Sequence, residues 1–84
     1  MYYCYILLSK KDGNLYTGFT PNLKRRLAQH NSGKVQSTKP RRPLALIYYE
    51  ACLIEQDARA REKYLKSGIG KRFIRNRLKH FYNL

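Results

Sequence analysis

Two apolar, aromatic runs joined by a turn signal constrain this chain more than any other feature. Tyr2 to Ser9 is apolar and partly β-branched, and it stops at Lys10-Lys11-Asp12-Gly13-Asn14, where Asp-Gly and Asn favour a turn. Leu15 to Thr20 follows, short and rich in Tyr, Thr and Phe, so the pair is expected to form an antiparallel hairpin. Gly18 inside the second run predicts a close backbone approach. With 84 residues in all there is room for one modest core, and the remainder is expected to pack on the hairpin as a single domain over residues 1–84.

Thr20-Pro21 reads as a capping hydroxyl with proline at the first helical position, and Gly33 after Asn31-Ser32 reads as a stop, which predicts a helix over residues 21–31. On it Leu23 and Leu27 form a buried stripe, while Arg26 and His30, also four apart, can converge on one site. Ser32 to Pro43 carries prolines, small polar residues and the cations Lys34, Lys39, Arg41 and Arg42, and is expected to be a loop that contacts phosphates. Leu44 to Glu50 is a near-continuous apolar strand suited to the centre or a well-covered position of a small sheet. Ile54 to Ser67, ended by Gly68, has helical spacing and places Glu62 near its buried side. Lys71 to Tyr82 is expected to be a third helix, with Phe73, Ile74, Leu78 and Phe81 inward and Arg72, Arg75, Arg77 and Lys79 around the rest. The order β-β-α-β-α-α describes an α/β fold, a small three-stranded sheet flanked by helices.

Charge supplies the first functional clue. Eighteen Lys and Arg against five Asp and Glu give a formal net charge of +13, a surface that calls for a polyanion. Nucleic acid is favoured over an anionic membrane, because no basic amphipathic helix has an apolar face beyond what a core needs. The DNA-contacting cations are expected in the Lys34 to Arg42 loop and at Arg72, Arg75 and Lys79. No apolar run approaches the ~20 residues of a membrane span, and no basic region precedes a long apolar stretch at the start, so a cytoplasmic location is expected. Cys4 and Cys52 show no metal-ligand spacing and read as buried free thiols.

Taken singly, each candidate polar residue has an ordinary role. Tyr5 can be a core aromatic, Arg26 a solvated cation, His30 a residue favoured near a helix end, and Glu62 an ion-pair partner of Arg59 or Lys66. The ordered set is more specific: CYIL with Tyr5, YTGFT with Tyr16 and Gly18, NLKRRLAQHNSG with Arg26 and His30, RRPLALIYYE, and DARAREKYLKSG with Glu62. Over nearly its whole length the chain resembles the GIY-YIG nuclease superfamily, most closely its small single-domain bacterial members. The resemblance matches Tyr5 and Tyr16 to the tyrosines of the two name-giving triplets and Gly18 to the close of the second. It matches Arg26 and His30 to the helix residues, Glu62 to the metal-binding glutamate and Asn76, by position, to a late asparagine. The first triplet here reads Tyr3-Cys4-Tyr5 and the second Tyr16-Thr17-Gly18, a departure at strand packing positions that spares the tyrosines.

What the resemblance implies is an endonuclease that hydrolyses DNA phosphodiesters with Mg²⁺ or Mn²⁺, with structured or damaged DNA and DNA repair as its expected setting. No small-molecule cofactor is expected, and a protein partner is left open. Hydrolysis needs an activated water, charge stabilisation on the phosphate and help for the leaving oxygen. One hard cation held by Glu62 and waters, and forked hydrogen bonds from Arg26, would meet the last two needs. Tyr16 would orient phosphate or water. Tyr5, its pKa lowered by nearby cations, or His30, directly or through Tyr5, would take the proton. Only Asp12, Glu50, Glu55, Asp57 and Glu62 are acidic, which disfavours a two-metal site and leaves Glu50 as the other acid to test. The rival reading is a non-catalytic nucleic-acid-binding module of the same fold, for which Glu62 among Arg59, Arg61, Lys63 and Lys66 has no use. A ribosome-type RNA-associated protein would carry richer Gly and basic tails.

Overall fold

In the computed structural model, which describes residues 1–84, β1 (Tyr2–Ser9) and β2 (Leu15–Thr20) pair antiparallel, with Tyr5 opposite Gly18 and Leu7 opposite Tyr16. Asp12 fastens the turn by accepting from the Asn14 amide at 2.8 Å. β3 (Leu44–Cys52) pairs antiparallel with the other side of β1, giving the order β2-β1-β3. The centre of the sheet is therefore β1, and β3, which runs two residues past Glu50, is an edge. Their burial agrees: Cys4, Tyr5, Ile6 and Leu7 are at most 1% exposed, whereas Tyr49 on β3 is 52% exposed.

Alternation along β1 divides the core between two faces. Cys4 and Ile6 pack with Ala58, Leu65 and Ile74 of α2 (Glu55–Lys66) and α3 (Gly68–Arg77). Tyr5 and Leu7 face Leu44 of β3 and the half-buried Leu23 and Leu27 of α1 (Leu23–Asn31). The result is an α/β fold with helices on both sides of a three-stranded sheet. A last short helix, α4 (Lys79–Tyr82), follows. No helix is long and apolar enough to cross a membrane.

Several helix boundaries differ from expectation, most of them through capping chemistry. α1 starts at Leu23 rather than residue 21, because the Asn22 side chain caps it by accepting from the Arg25 amide at 3.1 Å. Thr20 instead accepts from the Asn22 amide at 3.1 Å, which leaves Pro21 ahead of the helix. Gly68 opens α3 instead of ending α2: the Ser67 amide closes α2 on the Tyr64 carbonyl, and its Oγ accepts from the Gly70 amide at 3.1 Å. A Cβ on Gly70 would run into the Tyr64 carbonyl oxygen, so the corner between the two helices requires glycine. α3 consequently begins before Lys71 and stops at Arg77, with Leu78 separating it from α4. The 32–43 loop contains one 3-10 turn at Lys39–Arg41. Both cysteines are free, Cys4 buried and Cys52 only partly so.

Candidate active site

Tyr5 sits on the α1 side of the central strand, directly across from Gly18. A Cβ at position 18 would overlap Cζ and Oη of Tyr5, so the missing side chain is what lets the phenol lie across β2. Tyr5 Oη lies 2.8 Å from His30 Nε2, and His30 Nδ1 lies 2.7 Å from Thr38 Oγ1. With the Thr38 hydroxyl proton directed at the Val35 carbonyl 3.4 Å away, Oγ1 is left to accept from Nδ1–H, and this is the tautomer we assign. Nε2 then carries the lone pair, and the Tyr5 phenol donates to it. All three side chains belong to residues at most 1% exposed. The Tyr16 ring packs edge-on to His30 with centroids 5.1 Å apart.

Burial first, and the Arg26 guanidinium second, pull the His30 pKa down to about 4. Burial also pushes the Tyr5 phenol above its usual value, against the opposing pull of Arg26. This reverses the expectation that nearby cations would lower it, because desolvation outweighs one guanidinium. At neutral pH the pair is thus a neutral phenol donating to a neutral imidazole. A stability consequence follows, since the unfolded chain protonates this histidine near 6.5 and the fold resists until about 4. Between those values the unfolded state binds more protons, so stability is full above 6.5 and falls as pH drops towards 4. Denaturant melts are expected to show a loss of about 2 kcal/mol between pH 7 and pH 5, and a shallower slope in His30→Gln. Asp12, held at about 2 by Arg41, loses its contribution only below its ordinary 3.8, outside that window. Unchanged stability down to pH 5 would contradict the buried neutral imidazole.

Arg26, half-buried on α1, donates from Nη1 to Gln29 Oε1 at 3.3 Å, while its Nε is buried with no acceptor. The guanidinium is close enough to Tyr5 to act on its phenol, so Nε alone is left without a partner, a cost that an anion would relieve. Beside it Phe19, Asn22, Arg25 and Gln29 help to line a small cleft of about 260 Å³. Glu62 lies on α2 with its side chain 20% exposed and takes Lys66 Nζ on Oε2 at 2.9 Å, one of its two expected partners. Its charge bears on Tyr5. Glu50 is engaged by both Arg61 Nε at 2.9 Å and Nη2 at 3.0 Å, and by the Tyr48 hydroxyl at 2.8 Å. Asn76 is exposed on α3 and belongs to no hydrogen bond of this network. No group of three or more His, Cys, Asp and Glu side chains comes together. One accessible carboxylate suits a hard cation that keeps most of its waters, not a zinc-type site of several protein ligands.

Among the expected DNA-contacting cations, Lys34, Lys39, Arg42, Arg72, Arg75 and Lys79 are exposed. Arg41 is tied to Asp12 at 2.8 Å. Affinity for DNA is expected to fall with salt with a log-log slope of several units, roughly one per phosphate neutralised, as a titration across ionic strength would read. A slope near zero would remove these cations from the interface. Thr38 is the member of the site not anticipated. Its signal was indirect: a buried histidine needs a partner at each ring nitrogen, and the following loop offers Ser32, Ser37 and Thr38.

Comparison with known proteins shows what the chain as a whole is similar to. The family model described as the GIY-YIG catalytic domain matches residues 1–79. The UPF0213 protein in the ldhD 5' region of Pediococcus acidilactici is 40% identical over 85 residues, covering 98% of this chain and 82% of that protein. UPF0213 protein SH2523 of Staphylococcus haemolyticus is 43% identical over 67 residues, covering 79% and 80%. The solution NMR structure of UPF0213 protein BH0048 from Bacillus halodurans superimposes with a TM-score of 0.58 at 34% identity, over 93% of this chain and 86% of that one.

Proposed function

Because the chain belongs to the GIY-YIG catalytic-domain family, a family of DNA nucleases, we propose that it is a metal-dependent endonuclease working through Tyr5, Tyr16, Arg26, His30 and Glu62. The observation that carries this reading is the buried, acceptorless Arg26 Nε beside the Tyr5–His30 hydrogen bond, which sets an anion donor next to a proton path. A Mg²⁺ or Mn²⁺ ion held by Glu62 and waters would supply charge stabilisation at the phosphate and the leaving oxygen. Arg26 donates to the nonbridging oxygens. Tyr5 takes a proton from the attacking water while its own phenolic proton passes to His30 Nε2. Thr38, by holding Nδ1–H, keeps the lone pair on the nitrogen that receives it. Tyr16 orients the water or phosphate from the other side of His30. So small a domain has little surface for base readout, which favours weak sequence preference, and structured or damaged DNA is the substrate we favour from the family resemblance.

Incubation with linear, nicked, flapped and branched DNA is expected to give cleavage that depends on Mg²⁺ or Mn²⁺. Failure on every substrate would favour the non-catalytic binding module. Arg26→Ala is expected to slow cleavage about 10²–10³-fold, as when one preorganised oxyanion donor is removed, with DNA affinity nearly unchanged. A rate within about twofold of wild type would rule out its assigned role, because general electrostatic stabilisers act more strongly than that.

A further inference from the structure

Beside the site lies a cleft of about 640 Å³ whose floor and rim differ in chemistry. The floor is apolar, formed by Leu15 of β2, Leu65 of α2, Ile74 of α3 and Tyr82 of α4. Lys66, Lys71, Arg72 and Arg75 also line it, and no acid does. It adjoins the proposed centre at two points: Tyr16 lines it, and Lys66 in its wall holds Glu62 at 2.9 Å.

A groove that only tracks phosphates needs cations and has no use for an apolar floor. Four cations around such a floor match a molecule that is anionic at one end and flat and apolar at the other. The volume falls within the roughly 300–1,000 Å³ of sites that hold a ligand of that size. Arg75 lies 5.2 Å from the centroid of the Tyr82 ring, and unstacked bases rest on aromatic rings and guanidinium planes of this kind. We propose that the cleft receives one unpaired nucleotide of the substrate strand, its base over the Tyr82 side and its phosphate among Lys71, Arg72 and Arg75. A base paired within a duplex reaches the floor only by being flipped out, which costs a few kcal/mol and least at an unpaired or mismatched position, so the favoured substrate class is DNA with a nucleotide already unstacked beside the cut, as at a bulge, mismatch or flap. Tyr82 lies past the residues 1–79 matched by the family model, so this wall is supplied by the chain's own last helix. The cleavage consequence rests on the nuclease reading, whereas the binding consequence does not.

The test is affinity, read by anisotropy in EDTA, for a matched duplex and for the same duplex carrying 2-aminopurine in a one-nucleotide bulge. Wild type is expected to favour the bulge about tenfold, the scale of one stacked base, and to change the 2-aminopurine fluorescence on binding. Tyr82→Ala is expected to bring the ratio close to one with matched-duplex affinity little changed, and Tyr82→Phe to preserve it. Equal affinity in wild type, or a preference kept by both Tyr82→Ala and a Lys71→Ala/Arg72→Ala double variant, overturns the proposal. Should circular dichroism show Tyr82→Ala unfolded, the wild-type ratio, the fluorescence and the double variant decide it. Adding Mg²⁺ separates the two readings: preference without cleavage sinks the nuclease alone, and cleavage without preference sinks the nucleotide cleft alone.

Discussion

Glu62→Ala is expected to abolish metal-dependent cleavage while the protein stays folded and holds DNA as tightly or more tightly. The carboxylate's one protein partner is Lys66, four residues on and 54% exposed in its side chain. Such a helix pair contributes about 0.3–0.5 kcal/mol, so the melting temperature is expected to move by no more than about 4 °C. Removing a negative charge from the proposed DNA-facing site favours binding, which sets the direction of the affinity change. Cleavage, affinity and melting measured with and without Mg²⁺ therefore separate a metal ligand from an ordinary ion-pair partner. Full metal-dependent cleavage by folded Glu62→Ala would show the cation to be held elsewhere. Glu50, the next acid to consider, would first have to release Arg61 and Tyr48.

The hairpin was legible because strand alternation and turn chemistry act over a few residues, while Tyr5 and Tyr16 were singled out together by the family resemblance. Tyr5 and Gly18 needed only the register across that turn to become neighbours. Arg26 and His30 were legible in the same way, as residues four apart on one helix. The centre of the sheet was not: Leu44 to Tyr49 is as apolar as β1, and which strand lies between the others depends on the pairing of β3 with the far side of β1. Helix boundaries erred wherever two capping residues competed, as Thr20 with Asn22, or where one serine served two helices, as Ser67 does.

Two features of the site were hidden for different reasons. Thr38 stands in an irregular loop, where no period links it to His30, and only the two hydrogen-bonding needs of a buried imidazole point to it. The direction of the Tyr5 pKa was misjudged because the cations are visible in the chain and the burial is not. Counting Arg25 and Arg26 nearby suggests a lowered phenol, yet a residue 1% exposed is governed first by loss of water.

Tyr5→Phe, which deletes one oxygen, is expected to lower the cleavage rate about 10²–10⁴-fold, the range of general acid-base catalysis, with DNA and Mg²⁺ affinity maintained. It also leaves the buried His30 Nε2 without its donor, so a loss of about 1–3 kcal/mol in stability is expected, and rates must be compared below the variant's melting point. Stability loss alone does not identify a proton relay, but the pH profile can. If neutral His30 receives the proton, its pKa of about 4 predicts that kcat/KM shows no inflection near 6.5. A tenfold fall from pH 7 to 5.5 that vanishes in His30→Gln would instead mean that His30 titrates near 6.5 and would overturn the buried neutral imidazole, whereas a His30→Gln rate within about twofold of wild type would sink the relay. Thr38→Val gives the second arm, because without an acceptor for Nδ1–H the ring can turn its proton towards Tyr5. A rate about tenfold below wild type is expected, the lower end of what losing the outer hydrogen-bond partner of a metal-bound histidine costs, with recovery in Thr38→Ser. Serine restores the hydroxyl but not the methyl group, so recovery there assigns the effect to the hydrogen bond, and failure to recover assigns it to packing.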